Sequence, residues 1–303
     1  MKENRKQRFI EILNENQILE AEPMSRHTTF RIGGPAELFL VPKSTEEIAG
    51  IFKICREEGI PWFVLGNGSN LLVSDKGYQG VVIQLYKGFG EVKVQGCQIT
   101  AQAGALLSQI AAAAREESLT GFEFAGGIPG TLGGAVVMNA GAYGGEMKDV
   151  IKEVTVLTRE GEIRTLQAEE LAMGYRTSAI KEAGYIVLSA VLSLEKGDKE
   201  QIKARMQELA GMRSSKQPLQ YPSAGSTFKR PEGYFAGKLI MDSGLRGYQV
   251  GGAQVSEKHC GFVINTGNAT ARDVRNLMAD VQRIVEEKYG VKLEPEVKFL
   301  GDF

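Results

Sequence analysis

Three polar side chains stand in surroundings that favour a chemical role. Arg176 lies in a short mixed segment, Ser226 lies between a glycine and a threonine, and Glu296 follows a proline in an apolar stretch. Each has a plain alternative, namely a surface arginine, a turn or capping serine and a solvent-facing strand residue. Together they suit a site that polarises a carboxylate and delivers one proton. With only His27 and His259 in the chain, a histidine metal cluster or serine–histidine hydrolysis is not favoured.

The stretch from Gly126 to Gly145 is a candidate surface for holding a cofactor. Eight of its twenty residues are glycine, and Val136 to Met138 interrupt it with core-forming side chains. Glycine allows positive φ and the close approach of another molecule to the main chain. We predict a rigid backbone surface whose N–H groups face a flat or anionic group. The alternative is a glycine-rich turn under a sheet edge.

A second glycine-rich loop, Gly66 to Asn70, directly follows the predicted strand Trp62–Leu65. The Rossmann dinucleotide signature requires such a loop to open a helix. Here Leu71–Val73 and Val81–Leu85 continue as strands, so we reject a Rossmann unit. The serine and asparagine of the loop add side-chain donors, and we predict that it cradles a phosphate.

Composition narrows the class of protein. The 303 residues can fill two or three domains, and a formal net charge of −1 gives no field that would attract nucleic acid. The three cysteines are odd in number and lack metal-ligand spacing, which suits a reducing cytoplasm. The N-terminus lacks the apolar core of a signal peptide, and no apolar run approaches the roughly 18 residues that span a bilayer. The basic cluster Lys2–Arg8 is interpreted as the solvated start of a helix.

Periodicity and capping signals predict the elements that position these residues. Ser44 and Glu47 form a capping-box pattern at a helix start, and the most regular helix runs from Thr270 to Gly290. The other predicted elements are a helical stripe over Phe9–Ile18, strands Glu91–Gln95 and Gln98–Ala101, helix Ala105–Glu117, a hairpin of Val154–Thr158 and Ile163–Thr165, strand Tyr185–Leu194, helix Lys199–Met212, a boundary at Ser214–Pro218, helix Tyr234–Asp242, strands Ala253–Val255 and Phe262–Asn265, and strand Leu293–Val297.

Taken in order, the motifs resemble those of the UDP-N-acetylenolpyruvoylglucosamine reductase (MurB) family over nearly the whole chain. Any one of them is weak, but six in the right order are specific. They are Thr28-Thr29-Phe30-Arg31-Ile32-Gly33-Gly34, Leu65-Gly66-Asn67-Gly68-Ser69-Asn70, Gly127-Ile128-Pro129-Gly130 with Asn139-Ala140-Gly141-Ala142-Tyr143-Gly144, Tyr175-Arg176, Ala224-Gly225-Ser226-Thr227-Phe228-Lys229 and Pro295-Glu296-Val297.

The resemblance implies an α+β fold. It consists of an FAD-binding fold of the vanillyl-alcohol oxidase or PCMH type, built from two α+β subdomains, and a C-terminal α+β substrate-binding domain. We place the first subdomain at 1–85, with 298–303 returning to it, the second at 86–213, and the substrate-binding domain at 214–297. Non-covalently bound FAD is expected between the two subdomains.

The activity implied by the resemblance is the NADPH-dependent, FAD-mediated reduction of UDP-N-acetylglucosamine enolpyruvate to UDP-N-acetylmuramate. This is a step of peptidoglycan precursor synthesis in the cytoplasm, and it links the enzyme to cell wall biogenesis, cell shape, cell division and the cell cycle. The expected partners are the two small-molecule substrates, the UDP-sugar enolpyruvate and NADPH. We expect no nucleic acid, no membrane insertion, no metal, and a monomer.

The resemblance also assigns site residues. Ser226 is expected to protonate the substrate carbon, while Arg176 and Glu296 stabilise the enol-like intermediate. The expected substrate-binding residues are Lys229, Arg230 and His259. The expected FAD-binding residues are Gly66, Asn67, Gly68, Ser69, Asn70, Gly126, Gly127, Ile128, Pro129, Gly130, Thr131, Gly133 and Asn139.

Two features depart from the wider family. Some members have an asparagine after the Phe-Lys pair, where this chain has Arg230. Other members carry an inserted loop whose tyrosine closes over the substrate, and no such insertion is evident between Arg176 and Ser226. The chain therefore resembles the shorter class, which lacks that tyrosine loop.

Two other functions compete with this interpretation. One is a flavin oxidase of the same fold that uses oxygen and another alcohol or sugar. The motifs around Ser226 and Glu296 give it no support. The other is a nucleotide-sugar or flavin-binding regulator without turnover, which would keep the glycine loops and lose the arginine, serine or glutamate.

Overall fold

The structure is a computed structural model that describes residues 2–303, with side chains from Arg5 onward. The side chains of Lys2 to Asn4, part of the predicted basic cluster, lie outside the described residues. The helices are α1 (Lys2–Ile10), α2 (Thr45–Glu57), α3 (Leu107–Glu116), α4 (Leu132–Val137), α5 (Ala179–Ala183), α6 (Lys199–Lys216), α7 (Ala236–Asp242) and α8 (Ala271–Tyr289). The strands are β1 (Ile18–Pro23), β2 (Pro35–Leu40), β3 (Trp62–Leu65), β4 (Leu71–Val73), β5 (Tyr78–Gln84), β6 (Val92–Gln95), β7 (Gln98–Gln102), β8 (Leu119–Thr120), β9 (Gly141–Ala142), β10 (Gly145–Glu146), β11 (Ile151–Leu157), β12 (Ile163–Gln167), β13 (Ile186–Ser193), β14 (Glu195–Lys196), β15 (Gln249–Val250), β16 (Ala253–Val255), β17 (Val263–Asn265) and β18 (Lys298–Leu300).

The chain is divided into two compact units, each built from three separate segments. The first unit comprises Met1–Leu19, Leu38–Asn67 and Val81–Arg213. The second comprises Glu20–Glu37, Gly68–Gly80 and Ser214–Phe303. The finer division into two FAD-binding subdomains and a substrate-binding domain stays a prediction.

A five-stranded antiparallel sheet in the order β12-β11-β13-β7-β6 forms the centre of the first unit. The predicted hairpin is confirmed, since Leu157 pairs with Ile163 across a turn in which Gly161 has φ +90°. Inward-facing residues such as Ile99 and Val154 are fully buried against the helices of the same unit. Alternation of buried and exposed positions along these strands is the expected result of one covered face.

Helix α2 begins as predicted, but only half of its capping box forms. The Ser44 hydroxyl accepts the Glu47 backbone N–H at 3.2 Å. The Glu47 carboxylate does not accept the Ser44 backbone N–H. It accepts instead from the Lys43 backbone N–H at 2.6 Å and from the Gln17 side chain at 2.7 Å. The predicted reciprocal bond is therefore wrong, and the carboxylate ties the helix start to an earlier segment instead.

In the second unit, helix α8 packs against the three-stranded sheet β15-β16-β17. Its predicted start and end are confirmed: the Thr270 side chain caps the N-terminus, and Gly290 has φ +67° after the last turn. The predicted strand Leu293–Val297 is wrong in its bounds, because regular pairing begins at β18, which runs parallel to β4. Pro295, which has no N–H for a ladder, makes only an isolated bridge with Phe228.

The predicted helix Lys199–Met212 ends too early, whereas the predicted boundary begins at Ser214, where the second compact unit also resumes. Helix α6 continues through Ser214 and Ser215 to Lys216, before Pro218. Serine has a weak intrinsic helix preference, which tertiary context overrides here. None of the helices in the described part of the chain is long and apolar enough to cross a membrane.

We expect Asp273→Asn to lower stability at neutral pH by about 0.3–1 kcal/mol, the usual contribution of a carboxylate at a helix N-terminus. Asp273 accepts the backbone N–H of Thr270 at 2.9 Å and that of Gly252 at 3.3 Å. These bonds, the Thr270 bond first, hold the pKa of the carboxyl below its usual range. A lowered folded-state pKa stabilises the fold above the unfolded pKa, and this contribution is lost as the pH falls through the folded value.

Thermal unfolding of the parent and of Asp273→Asn at several pH values tests this expectation. The difference in Tm should be full at neutral pH and should shrink below the ordinary titration range of an aspartate. A Tm difference of equal size at every pH would show that the charge of Asp273 does not cause the loss of stability.

Candidate functional site

Two of the segments predicted to bind FAD lie together in the first unit. The Asn67 side chain donates to the Pro129 carbonyl at 2.8 Å. A Cβ on Gly66 would stand 2.2 Å from Oγ1 of the buried Thr131, so the two backbones approach as closely as glycine allows. Thr131 is itself fixed by a bridge to Leu106. The loop end Gly66-Asn67 and the Gly126–Thr131 turn therefore form one surface.

This surface offers donors that fit an anionic group such as the diphosphate of FAD. Among the described residues, no acceptor takes the backbone N–H of Asn67 or of Gly127. Gly127 is exposed, and the Arg213 guanidinium donates to its carbonyl. Burial lowers the pKa of Arg213, although it stays a cation at neutral pH. Open N–H groups beside a cation match the oxygens of a diphosphate.

The rest of the Gly66–Asn70 loop, from Gly68 to Asn70, belongs to the second unit. Gly68 has φ +63°, and its carbonyl accepts the Thr29 N–H at 3.1 Å. The Thr29 hydroxyl donates to the Ser223 carbonyl at 2.6 Å, three residues before Ser226. The Asn70 side chain donates to the Glu296 carbonyl at 3.2 Å. One loop is thus tied to both segments that carry predicted catalytic residues of this unit.

Ser226 and Glu296 are brought together by backbone pairing. The Glu296 N–H donates to the Thr227 carbonyl at 2.9 Å, and the Lys229 N–H donates to Glu294 at 2.8 Å. The Thr227 side chain is buried and accepts the Val263 N–H, whereas Ser226 is exposed. Alternation along an extended segment directs neighbouring side chains to opposite sides. The predicted proton donor therefore stands at the surface beside the half-buried glutamate segment.

Arg176 is held in the first unit by a tight turn. Gly174 and Thr177 exchange backbone hydrogen bonds of 3.1 and 3.3 Å, with Tyr175 and Arg176 between them. Arg176 has φ +58°, a left-handed conformation that a non-glycine residue adopts only when its surroundings support it. Its guanidinium lies 5.1 Å from the centre of the Tyr175 ring.

Two residues of the predicted FAD set are engaged inside the first unit. The Gly133 N–H donates to Ala103 at 2.8 Å, and a Cβ there would stand 3.0 Å from the Ala103 Cβ. Asn139 is 1% exposed, and its side-chain amide bonds to Glu146, Lys148 and Gly174. Both residues therefore have structural contacts within the first unit, and their role in binding FAD stays a prediction.

The predicted substrate-binding residues lie in the second unit. The Lys229 ammonium pairs with Glu294 at 2.8 Å, and this hydrogen bond lowers the pKa of Glu294. The Arg230 guanidinium stacks on Phe235 at 4.0 Å from the ring centre. His259 is half-buried against Phe262, and burial lowers its pKa. Its Nδ1 accepts the Gly261 N–H at 3.1 Å, so the neutral ring carries its proton on Nε2 as a donor.

Two residues with evident roles in these surfaces were not singled out from the sequence. Arg213 braces Gly127, and Thr29 connects Gly68 with Ser223. Thr29 lies in one of the family-like motifs but carried no assigned role. No local pattern marks Arg213, because it lies in the last turn of a charged helix and meets its partner 86 residues away in sequence.

Comparison with known proteins gives matches over most of the chain. Residues 217–300 match the family model described as UDP-N-acetylenolpyruvoylglucosamine reductase, C-terminal domain, and residues 36–167 match that of an FAD binding domain. The chain is 56% identical over 295 residues to the UDP-N-acetylenolpyruvoylglucosamine reductase of Lachnoclostridium phytofermentans, covering 96% of this chain and 95% of the relative. It is 57% identical over 292 residues to that of Caldanaerobacter subterraneus, covering 96% of each.

A solved structure agrees with these relatives. The crystal structure of the UDP-N-acetylenolpyruvylglucosamine reductase from Thermus caldophilus matches with a TM-score of 0.80 and 38% sequence identity, covering 94% of this chain and 98% of that one. These matches confirm the predicted fold class, an FAD-binding fold followed by a C-terminal α+β domain. The chain therefore belongs to the UDP-N-acetylenolpyruvoylglucosamine reductase family.

Proposed function

We propose that this chain is a UDP-N-acetylmuramate dehydrogenase that uses NADPH and FAD to reduce UDP-N-acetylglucosamine enolpyruvate to UDP-N-acetylmuramate. The observation that carries the proposal is its identity of 56–57% to curated reductases along nearly their full length. The product is a precursor of peptidoglycan. We expect the enzyme to act in the cytoplasm as a monomer on these small molecules, without nucleic acid.

Bound FAD would supply the hydride transfer between NADPH and the substrate, which no side chain can perform. The protein groups proposed to hold it are the Gly66–Asn70 loop and the Gly126–Thr131 turn. Their open N–H groups and the cation of Arg213 suit a diphosphate. We propose Gly133 and Asn139 as supports of the same region rather than as direct contacts.

The three proposed catalytic residues act on the enolpyruvyl group. Hydride addition at the methylene carbon leaves negative charge on the carbon next to the carboxylate and on the carboxylate itself. Arg176 can hold that carboxylate bidentately and oppose the charge. Ser226 delivers a proton to the carbon, which is basic enough to take one from a hydroxyl, and Glu296 orients the enol-like intermediate by hydrogen bonding.

We further propose that Lys229, Arg230 and His259 bind the UDP part of the substrate. Arg230 replaces the asparagine of other family members and still favours an anion. Lys229 is already paired with Glu294, so its contribution to phosphate binding would require exchange of that partner. The neutral His259 would act through its Nε2–H donor.

The absorbance spectrum of the purified protein tests the proposal. We expect a yellow protein whose flavin is released by heat or acid and is bleached by NADPH under anaerobic conditions. Adding the enolpyruvyl substrate should restore the colour in step with formation of UDP-N-acetylmuramate.

Reoxidation by oxygen together with an alcohol or sugar, and not by the enolpyruvyl compound, would favour the flavin oxidase alternative. A protein that neither contains nor takes up FAD would remove the proposed activity altogether.

A further inference from the structure

Asn139 lies at the end of helix α4, where the glycine-rich stretch meets the turn that carries Arg176. Its side chain is 1% exposed, and its backbone has φ +42°. The Nδ2 group donates to the Glu146 carboxylate at 2.7 Å and to the Gly174 carbonyl at 3.1 Å. The Oδ1 atom accepts the Lys148 N–H at 3.0 Å. Both N–H donors and the acceptor oxygen of the amide are thus engaged within the protein.

The bond to Gly174 connects this amide to the position of Arg176. Gly174 closes the two-residue turn with Thr177, and Arg176 sits inside that turn in a left-handed conformation. On the other side of the same turn, the buried Ser178 hydroxyl donates to the Val137 carbonyl at 3.0 Å. The turn is therefore clamped from both sides to one end of helix α4. Strained backbone of this kind persists only where surrounding contacts hold it.

We propose that Asn139 is a positioning residue that acts on the substrate through Arg176. This inference rests on the proposed function for its catalytic consequence. This role differs from the FAD-binding role expected for Asn139 from the sequence, because every polar atom of the side chain already has a protein partner. The Asn139 side chain fixes the backbone turn from which the Arg176 side chain extends. A guanidinium displaced by about 1 Å can lose its bidentate hydrogen bonds to a carboxylate.

Asn139→Asp is the most informative change because it keeps the size and shape of the side chain. An aspartate cannot donate to Gly174, and its charge faces the Glu146 carboxylate. We expect reoxidation of reduced flavin by the enolpyruvyl substrate to slow about 10- to 100-fold, the usual cost of a misplaced catalytic group. Flavin reduction by NADPH and FAD content should stay within about twofold of the parent, since neither step uses the Arg176 carboxylate clamp.

Gln17→Glu provides a matched control in the same unit. Gln17 is also 1% exposed, and its amide donates to the Glu47 carboxylate at 2.7 Å and to the Val41 carbonyl at 3.0 Å. The substitution has the same chemistry in the same kind of surroundings, without a connection to Arg176. We expect it to lower stability while leaving reoxidation by the substrate unchanged. An equal slowing in both variants would overturn the proposal, since it would report a general loss of stability.

The double variant Asn139→Asp/Glu146→Gln separates charge repulsion from the bond to Gly174. The glutamine can donate to the new aspartate, so the repulsion is removed and folding is recovered even where Asn139→Asp alone does not fold. The Gly174 carbonyl still lacks its donor. We expect slow reoxidation in the double variant. Recovery of the parent rate would overturn a role through Gly174.

Hydrogen exchange gives a readout that does not depend on the reaction. The Gly174 and Thr177 amides should exchange faster in Asn139→Asp and in the double variant, but not in Gln17→Glu. If the two variants exchanged faster but the parent protein could not use the enolpyruvyl substrate, the clamp would stand and the proposed function would be removed. Loss of FAD from Asn139→Asp, with an unchanged rate per bound flavin and unchanged exchange, would instead make Asn139 a cofactor residue and overturn the proposal.

Discussion

Replacing Ser226 with alanine is expected to leave flavin reduction by NADPH close to normal and to slow flavin reoxidation by the enolpyruvyl substrate about 10²–10⁴-fold. The first half-reaction moves no proton to a substrate carbon, whereas the second requires one. Ser226 is exposed at a surface next to the Glu296 segment, so its hydroxyl contributes little to packing. Anaerobic stopped-flow absorbance of the two half-reactions measures the effect.

Ser223→Ala is the matched control for this experiment. It removes a hydroxyl from the same segment, and the Thr29 hydroxyl bonds to the Ser223 carbonyl, which the substitution keeps. FAD content and Tm of both variants report folding. If Ser226→Ala reoxidised as fast as Ser223→Ala and the parent, the proton would have to come from another group.

Arg176→Ala and Glu296→Ala should impair the same half-reaction. Arg176→Ala should also raise the KM for the enolpyruvyl substrate, because the proposed contact of Arg176 with the substrate carboxylate is made in the ground state.

The second large effect is expected for Gly66→Ala, which should lower FAD affinity by at least about 10-fold, equivalent to about 1.4 kcal/mol. The new Cβ would lie 2.2 Å from Oγ1 of Thr131, a contact that forces the loop and the turn apart. Thr131 is 2% exposed, so its side chain has little room to move away. FAD release on dilution, followed by the rise in flavin fluorescence, measures the affinity.

A compensating change tests the steric explanation. Thr131→Ala removes Oγ1 and leaves the Thr131 Cβ at 3.4 Å from the new methyl group, an ordinary contact. Gly66→Ala/Thr131→Ala should therefore regain FAD relative to Gly66→Ala, with Thr131→Ala alone as the reference. Gly59→Ala adds a methyl group in open space at φ +62° and should cost stability without loss of FAD. Full FAD occupancy in Gly66→Ala would place the cofactor away from this loop.

Secondary structure was predicted correctly where hydrophobic periodicity and the turn or capping residues indicated the same element. The hairpin around Gly161 and helix α8 with its Thr270 cap lie close to their predicted bounds, because both depend on neighbours in sequence. Helix α4 inside the glycine-rich stretch was not predicted. Glycine disfavours helices intrinsically, and the helix forms here because Leu132 and Val136 are fully buried.

By itself, the sequence determined the family, the fold class and a short set of candidate residues, because ordered motifs and periodicity are properties of the chain. Only the tertiary structure decided which of those residues meet. It ties Asn70 to Glu296 over 226 positions and Asn139 to Gly174 over 35, and it sets Arg213 against Gly127. It also gives Asn139 three internal partners, which a motif cannot reveal. The reason is physical: a hydrogen bond between distant segments depends on how the intervening elements pack, and no local pattern encodes that distance.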